Sequence, residues 1–325
     1  MKYEESSMIA VVIPAYKTKL YIKKVIEQIG GEVNKIYVVD DGCPQDTGKI
    51  VQREILDPRV EVIFHTKNLG IGAAVRTGCM RAMNDGHEII VKIDSDGQMN
   101  PLLISEMISP ISNQRADYVK GNRFSKLSFL KEMPKHRIFG NTVLSFITKF
   151  SSGYWQAFDP TNGFIAIRSS YAKKIFQHKV AEGYFFESDM LFWLYIHGAK
   201  IQEISMKAVY RQETSSLVIW RTIPIFIFMH IKNFIRRIYI TYFLKDLSLA
   251  GFSYLVGNIF LLFGAIFGFY NWNFSTQENV YASPGTVMLA ALPIILGVQL
   301  LLYFFSVDIS NSQKLYVYDD NQLEK

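Results

Sequence analysis

Two stretches toward the C-terminal end carry no charged residue, Ser248 to Trp272 (SLAGFSYLVGNIFLLFGAIFGFYNW) and Gly285 to Val307 (GTVMLAALPIILGVQLLLYFFSV). A helix crossing a hydrocarbon core of about 30 Å needs about 20 apolar residues, and both runs meet that length. Uncharged runs this long are rare in soluble proteins, so we read two membrane spans in preference to a pair of buried core helices. The linker NFSTQENVYASP lacks Lys and Arg, whereas Lys232, Arg236, Arg237 and Lys245 stand just before the first run. The positive-inside rule then puts the N-terminal part and both termini in the cytoplasm and the linker outside, in a multi-pass protein of the inner (plasma) membrane.

The segment Ile223 to Leu247 (IPIFIFMHIKNFIRRIYITYFLKDL) is mostly apolar and aromatic, with Lys232 and Arg236 spaced i, i+4 and Pro224 suited to a helix start. This pattern predicts an amphipathic helix lying in the interface, its basic side toward lipid head groups. A third span is the rival, and the three charges of Lys232, Arg236 and Arg237 argue against it. The expected organisation is a cytoplasmic domain at 1–217, an interfacial helix region at 218–246, two spans with a short external loop at 247–307, and a cytoplasmic tail at 308–325. MKYEESSMIAVVIPAY has glutamates where a signal peptide would be basic, so none is expected. Cys43 and Cys79 have no metal-site spacing and are expected as free thiols. A net charge of +6 suits a phospholipid surface or a phosphate-bearing substrate, and no nucleic-acid partner is expected; self-association is left open.

Within the first part, Ile9 to Ile13, Ile36 to Val39, Val60 to Phe64 and Glu88 to Ile93 read as strands. Leu20 to Ile29 and Ala73 to Met83 between them have helical length and period. The alternation predicts an α/β fold, a mostly parallel sheet with helices on both faces. Ligands bind beyond the carboxyl ends of such strands, where Pro14-Ala15-Tyr16, Asp40-Asp41 and Asp94-Ser95-Asp96 all fall. Further on we expect helices within Ile138 to Phe150 and around Glu187 to His197, and strands at Phe164 to Ile167 and near Gln202 to Ile204.

In IIVKIDSDGQMNP, Asp94 and Asp96 end a strand and can reach one divalent ion, directly or through water. Mg²⁺ and Mn²⁺ are commonly held by one or two carboxylates plus substrate phosphates. An EF-hand is excluded, because its sixth and twelfth positions from Asp94 are Met99 and Ser105; a solvated acidic turn is the ordinary alternative. Asp40 and Asp41 can accept hydrogen bonds from a base or a ribose, or can merely make an Asp-Gly turn. NLGIGAAVRTG is not a dinucleotide fingerprint, since Val75 stands where the third glycine belongs. It opens a helix either as an anion site near Arg76 or as a glycine-eased turn.

VVIPAYK, VVDDG, NLGIGAAVRTG and IDSDGQ, in this order and spacing, resemble the nucleotide-sugar half of family-two glycosyltransferases of the GT-A (Rossmann-like) fold. GNRF, DPTNGF and two C-terminal spans are similar, more narrowly, to polyprenyl-phosphate glycosyltransferases, relatives of dolichol-phosphate mannose synthase. The resemblance implies that Pro14, Ala15 and Tyr16 line the nucleoside pocket with Asp41. It implies that Asp94 contacts ribose or metal and that Asp96 with Gln98 holds Mg²⁺ or Mn²⁺ at the diphosphate. Arg123 and Arg137 match arginines near the acceptor phosphate, Asp159 an acidic residue close to the reacting sugar, and Arg211, in YRQETSSL, a residue closing on the diphosphate. Glu187 and Asp189 are either sugar-positioning groups, Asp189 then joining the catalytic set, or a charge pattern of a helix start. QDTGKIV replaces the serine-rich turn of many relatives, which leaves the base contacts open.

The implied activity is inverting transfer of one sugar from a nucleotide diphosphate-sugar, expected to be UDP-linked, to a polyprenyl phosphate. Two other readings compete. A processive polysaccharide synthase would carry Q-x-x-R-W and more spans, and RQETSSLVIWR lacks that motif; a lipid-linked oligosaccharide or a protein as acceptor is harder to exclude. A catalytically silent membrane-tethered scaffold would not need Asp94, Asp96 and Gln98.

Overall fold

The computed structural model describes residues 8–131, 133–207, 219–312 and the short strand at 316–318. The chain forms two compact units, one running to Asn233 and resuming at Gln313, the other Phe234–Ser312.

The first unit is built on eight strands: β1 (Ile9–Ala15), β2 (Lys35–Asp40), β3 (Val60–Phe64), β4 (Ile89–Lys92), β5 (Tyr118–Asn122), β6 (Ile165–Arg168), β7 (Ile201–Ser205) and β8 (Tyr316–Tyr318). Their order is β3-β2-β1-β4-β6-β5-β7-β8. Only β6 runs against its neighbours, pairing antiparallel with both β4 and β5. Around the sheet lie α1 (Ile22–Glu27), α2 (Thr47–Glu54), α3 (Ile71–Asn84), α4 (Ile104–Ser112), the single turn α5 (Leu127–Leu130), α6 (Lys135–Ser152), α7 (Ser169–Phe176) and α8 (Phe186–Ile196).

β1 and β4 are buried along their whole length, as expected of parallel strands covered on both faces. Helix α3 lies close against the sheet because Gly78 lacks a side chain; a Cβ there would stand 2.4 Å from Val12 Cγ1. The register that pairs Ala15 with Asp40 and Val12 with Lys92 brings the ends of β1, β2 and β4 to one edge. The mostly parallel sheet is thus as expected. The antiparallel β6, strand β5, helices α2, α4 and α7, and the return of the chain as β8 were not foreseen.

In the second unit, α10 (Leu249–Glu278) and α11 (Pro284–Ser310) pack along each other. Glycines set the approach: a Cβ on Gly257 would stand 3.1 Å from the Gly297 carbonyl oxygen, and one on Gly264 2.7 Å from that of Ala290. Such small-residue contacts suit helices that associate in lipid. Their most apolar windows have mean hydropathy 1.9 and 2.3 with only 28% and 11% of residues buried, and both helices are long and apolar enough to cross a membrane. The linker between the two helices is shorter than expected, because α10 continues to Glu278 and Ser283 caps α11 through Thr286 N–H.

Ahead of these, α9 (Ile219–Tyr239) is followed by a π-helical turn at Ile240–Lys245. Two expectations are corrected here. Pro224 lies inside α9 and does not start it. Arg237 does not face head groups: it is fully buried, its guanidinium 2.6 and 2.9 Å from the two carboxylate oxygens of Asp308, which also accepts from Tyr242 Oη at 2.7 Å.

Candidate active site

The three strand tips are stitched together by their own polar groups. Asp41 N–H donates to the Ala15 carbonyl at 3.1 Å, Ser95 Oγ to that of Pro14 at 2.8 Å, and Thr18 Oγ1 to Ser95 Oγ at 2.8 Å. Lys17, in a left-handed conformation at φ 59°, donates its N–H to Cys43 Sγ at 3.1 Å. Burial alone would raise the Cys43 pKa, but bonds from Thr47 and neighbouring backbone N–H groups outweigh it and leave it lowered. Above this edge opens a cavity of about 330 Å³, lined by Pro14, Ala15, Tyr16, Asp41, Asp94 and Asp96 together with Asn68, Gly70, Gly183 and Tyr184. Six of the residues expected at a donor site are thus brought together. The wall stops short of Gln98, whose N–H donates to Asp96 Oδ1 at 2.9 Å, and Gly97, at φ 71°, turns the chain there.

Asp41 lines the cavity with a carboxylate already engaged. Oδ1 accepts from Leu69 N–H at 2.9 Å and lies 2.8 Å from His65 Nδ1, and Oδ2 accepts from Gly70 N–H at 2.8 Å. The entry to α3 therefore holds Asp41 as its resident anion, and Gly72 N–H is taken by the Glu182 carbonyl at 2.7 Å. Of the two readings of NLGIGAAVRTG, the glycine-eased turn is the one observed: Gly70 sits at φ 99°, and a Cβ would stand 2.5 Å from the Glu182 oxygen. Asp40 is buried and turned away, accepting from Cys43 N–H at 2.7 Å and Gly48 N–H at 2.6 Å.

Beneath Asp94 lies a group that sequence reading passed over. Lys92 is 1% exposed, its Nζ 2.7 Å from Asp94 Oδ1 and 3.3 Å from Glu187 Oε1. Burial acts to lower the ammonium pKa, and the two carboxylates more than reverse it; burial raises that of Glu187. Gly163 makes room, since a Cβ there would stand 2.1 Å from Lys92 Nζ and 2.5 Å from Asp94 Oδ2. A lysine amid the apolar run IIVKI was the available signal, because a charge in a doubly covered strand must find a partner.

Asp94 Oδ1 is buried and has the Lys92 ammonium as its close partner. Among the described residues no cluster of three or more His, Cys, Asp or Glu could cage a metal. Asp94 and Asp96 on the cavity wall could still hold a hard divalent ion whose other ligands come from phosphate and water, the usual arrangement for Mg²⁺ at a diphosphate.

Arg123 and Asp159, expected on the acceptor side, form a fork-on-fork pair, with Nε to Oδ2 at 2.7 Å and Nη2 to Oδ1 at 2.5 Å. Asp159 is fully buried at φ 52°. Burial would raise its pKa, but Arg123 and then Lys120 hold the carboxyl below its ordinary value. Arg137 stands half-buried in the first turn of α6. Asp189 is set apart from the cavity wall: Oδ2 accepts from Ala181 N–H and Oδ1 from Asn233 Nδ2, both at 2.8 Å, so its carboxylate anchors α8 to a loop and to α9. Arg211 lies outside the described residues.

The chain is 31% identical over 219 residues to a UDP-N-acetylglucosamine–dolichyl-phosphate N-acetylglucosaminyltransferase of Methanococcus voltae, covering 63% of this chain and 87% of the relative. It is 26% identical over 207 residues to a polyprenol monophosphomannose synthase of Mycolicibacterium smegmatis, covering 62% and 77%. Among solved structures, glucosyl-3-phosphoglycerate synthase of Mycobacterium tuberculosis, in complex with Mn²⁺, UDP and phosphoglyceric acid, shares the fold, with a TM-score of 0.52 at 17% identity over 71% of this chain and 78% of that one. The family model Glycosyl transferase family 2 matches residues 10–176, a stretch that holds the Arg123–Asp159 pair and all of the strand-tip cavity's lining except Gly183 and Tyr184, and the chain belongs to that family.

Proposed function

We propose that the protein transfers a single sugar, with inversion, from a UDP-linked donor to a polyprenyl phosphate at the cytoplasmic face of a membrane. The observation that carries the reading is the cavity at the joined tips of β1, β2 and β4, with Tyr16, Asp41, Asp94 and Asp96 in its lining, in a chain that also has two helices fit to cross a membrane. A relative named for a UDP-sugar donor and a dolichyl-phosphate acceptor supports the same choice.

Pro14, Ala15 and Tyr16 bound the nucleoside, and Asp41 acts by holding Leu69 and Gly70 in place beneath it. Asp94 and Asp96, with Gln98 behind, would hold Mg²⁺ or Mn²⁺. A divalent ion there would offset the charge that gathers on the departing diphosphate. Arg211 is assigned to the same diphosphate from the family pattern alone. On the acceptor side Arg123, with Arg137 near it in sequence, receives the lipid phosphate. A phosphate monoester has a second pKa of about 6, so its oxygen is a nucleophile at neutral pH. That oxygen forms the new bond to the anomeric carbon from the face opposite the leaving UDP, which departs with the electron pair. No strong base is required, which agrees with an Asp159 carboxylate bound by Arg123 and kept ionised; it stabilises the oxocarbenium-like sugar or orients the arginine.

The sequence-based domain limits belong to this proposal: a catalytic part at 1–217, an interfacial region at 218–246, spans within 247–307 and a tail from 308. The return of the chain to the first unit as β8 supports an even number of crossings between. The test is UDP release in nanodiscs with Mn²⁺, undecaprenyl phosphate and a panel of UDP- and GDP-sugars, with mass spectrometry of the lipid. A lipid-phosphate sugar from one UDP donor is expected. Failure of every donor to give a lipid product sinks the proposal, and a GDP-sugar product overturns the base assignment alone.

A further inference from the structure

A charged side chain inside a strand covered on both faces calls for a reason beyond stability, because apolar groups of similar volume often replace a buried ion pair without loss. Lys92 is such a side chain. In the sheet it stands between Val12 of β1 and Ile165 of β6, both buried. Its ammonium lies between two carboxylates from distant parts of the chain, with Asp94 Oδ1 at 2.7 Å and Glu187 Oε1 at 3.3 Å. Asp94 lines the cavity, and Glu187 stands in the first turn of α8, just after Gly183 and Tyr184 of the same lining. Lys92 thus ties together two segments that bound one cavity. The Asp94 side chain is 23% exposed while its Oδ1 is buried, so of the two oxygens only Oδ2 can reach a ligand there. The missing side chain of Gly163 leaves the room for both the ammonium and Oδ2.

We propose that Lys92 is a positioning residue of the donor site, holding Asp94 so that Oδ2 alone meets the ligand and, by its charge, making a divalent ion at that oxygen depend on the nucleotide's diphosphate. The proposal rests on the reading of the cavity as a donor site. Two unit charges about 4 Å apart, at an effective dielectric constant of about 20, interact roughly four times as strongly as in water. An ammonium bonded to one oxygen of a carboxylate therefore cancels much of the attraction that the other oxygen has for a cation. Over the same range it attracts a phosphate anion. Glu187 opposes both effects, because it takes a share of the same ammonium and returns negative charge to Asp94. Glu187 then favours the ion and Lys92 the diphosphate, and the site binds the two together better than either alone. The ion arrives with the donor and leaves with UDP, in keeping with a Mg²⁺-type ion held by few carboxylates plus phosphates.

The test uses the full chain in phosphatidylcholine nanodiscs, titrated with Mn²⁺ and read by the paramagnetic resonance signal of the free ion, so no turnover is needed. Lys92→Met removes the cation and keeps an unbranched side chain, while Glu187→Gln keeps the shape and leaves the ammonium to Asp94 alone. Without nucleotide, Lys92→Met is expected to bind Mn²⁺ roughly threefold or more tightly than wild type, and Glu187→Gln more weakly by a similar factor. For UDP in EDTA, read by calorimetry, the order reverses: Lys92→Met binds it more weakly and Glu187→Gln more tightly. The double variant, which restores the sum of charges, is expected to fall between the two single ones. A strut that merely joined β4 to α8 would lose affinity for both ligands in both single variants. That result overturns the proposal, as does no change in either variant, or equal Mn²⁺ affinity of the wild type with and without UDP. Should Lys92→Met fail to fold, the opposed shifts of Glu187→Gln for Mn²⁺ and UDP decide alone. If UDP binds none of the proteins, with or without Mn²⁺, the donor-site reading falls, while the Mn²⁺ shifts still decide whether Lys92 governs the ion.

Discussion

Asp94 and Asp96 belong to the same short turn and differ in what surrounds them. Asp94 is tied to a buried ammonium, whereas Asp96 is half-exposed at the cavity and bonded to the backbone of Gln98. Asp96→Ala is expected to keep the fold and lower metal-dependent turnover by roughly 100-fold, the scale of one lost electrostatic contact to a transition state. The Mn²⁺ concentration for half-maximal UDP binding, read by calorimetry, should rise; wild-type values would remove Asp96 from the metal site. The pair was legible because two carboxylates at a strand end, on the edge shared with Tyr16 and Asp41, have few other uses. The state of each carboxylate was not, because hydrogen bonds between residues far apart in sequence decide it. Asp41 is engaged by residues more than twenty positions away, and Asp189 by Asn233 on another helix.

At the scale of elements, two polar contacts fasten helices whose visible pattern is apolar. His230 of α9 is 3% exposed, and burial pushes its pKa down to about 4. Between that value and the ordinary 6.5 the unfolded chain binds the extra proton and the folded one does not. Stability is therefore complete above pH 6.5 and declines on acidification toward pH 4, by on the order of 3 kcal/mol. His230→Gln keeps a partner for Ser151 and does not titrate, so its denaturation midpoint should be flatter over the same window; an unchanged slope would assign the acid loss to other groups. The Arg237–Asp308 pair calls for a different comparison. Asp308→Ala leaves a buried guanidinium without its partner and should cost about 3–5 kcal/mol, whereas Arg237→Met with Asp308→Leu should recover much of it. Thermal melting in detergent distinguishes the two variants. Uncharged runs disclosed α10 and α11 directly, but charge counting assigned Arg237 to the membrane surface, because composition does not tell a paired arginine from a solvated one.

For the whole molecule, the most consequential element is the least conspicuous in sequence. A three-residue strand near the C-terminal end pairs parallel with β7, from Gln202 against Tyr316 to Ile204 against Tyr318. It has no flanking period long enough to announce a strand, and its pairing is set by an edge more than a hundred residues earlier. That pairing constrains topology independently of the lysine and arginine bias. A chain that builds β7, crosses into another unit and returns to the same sheet cannot end on the other side of a membrane from the domain it completes. Strand pairing asks only for an even number of crossings, which agrees with the proposed two crossings and with a proposed outside turn between α10 and α11. Alkaline phosphatase inserted at Tyr281 is therefore expected to be active, and a fluorescent protein fused after Lys325 to fold and emit from the cytoplasm. Replacing Lys232 and Arg236 by glutamine weakens the charge bias and leaves the β7–β8 pairing intact. If the strand pairing governs the final state, both reporters keep their signals in that variant. If the reporters invert, the charges alone hold the orientation, and β8 joins the sheet only once they have done so.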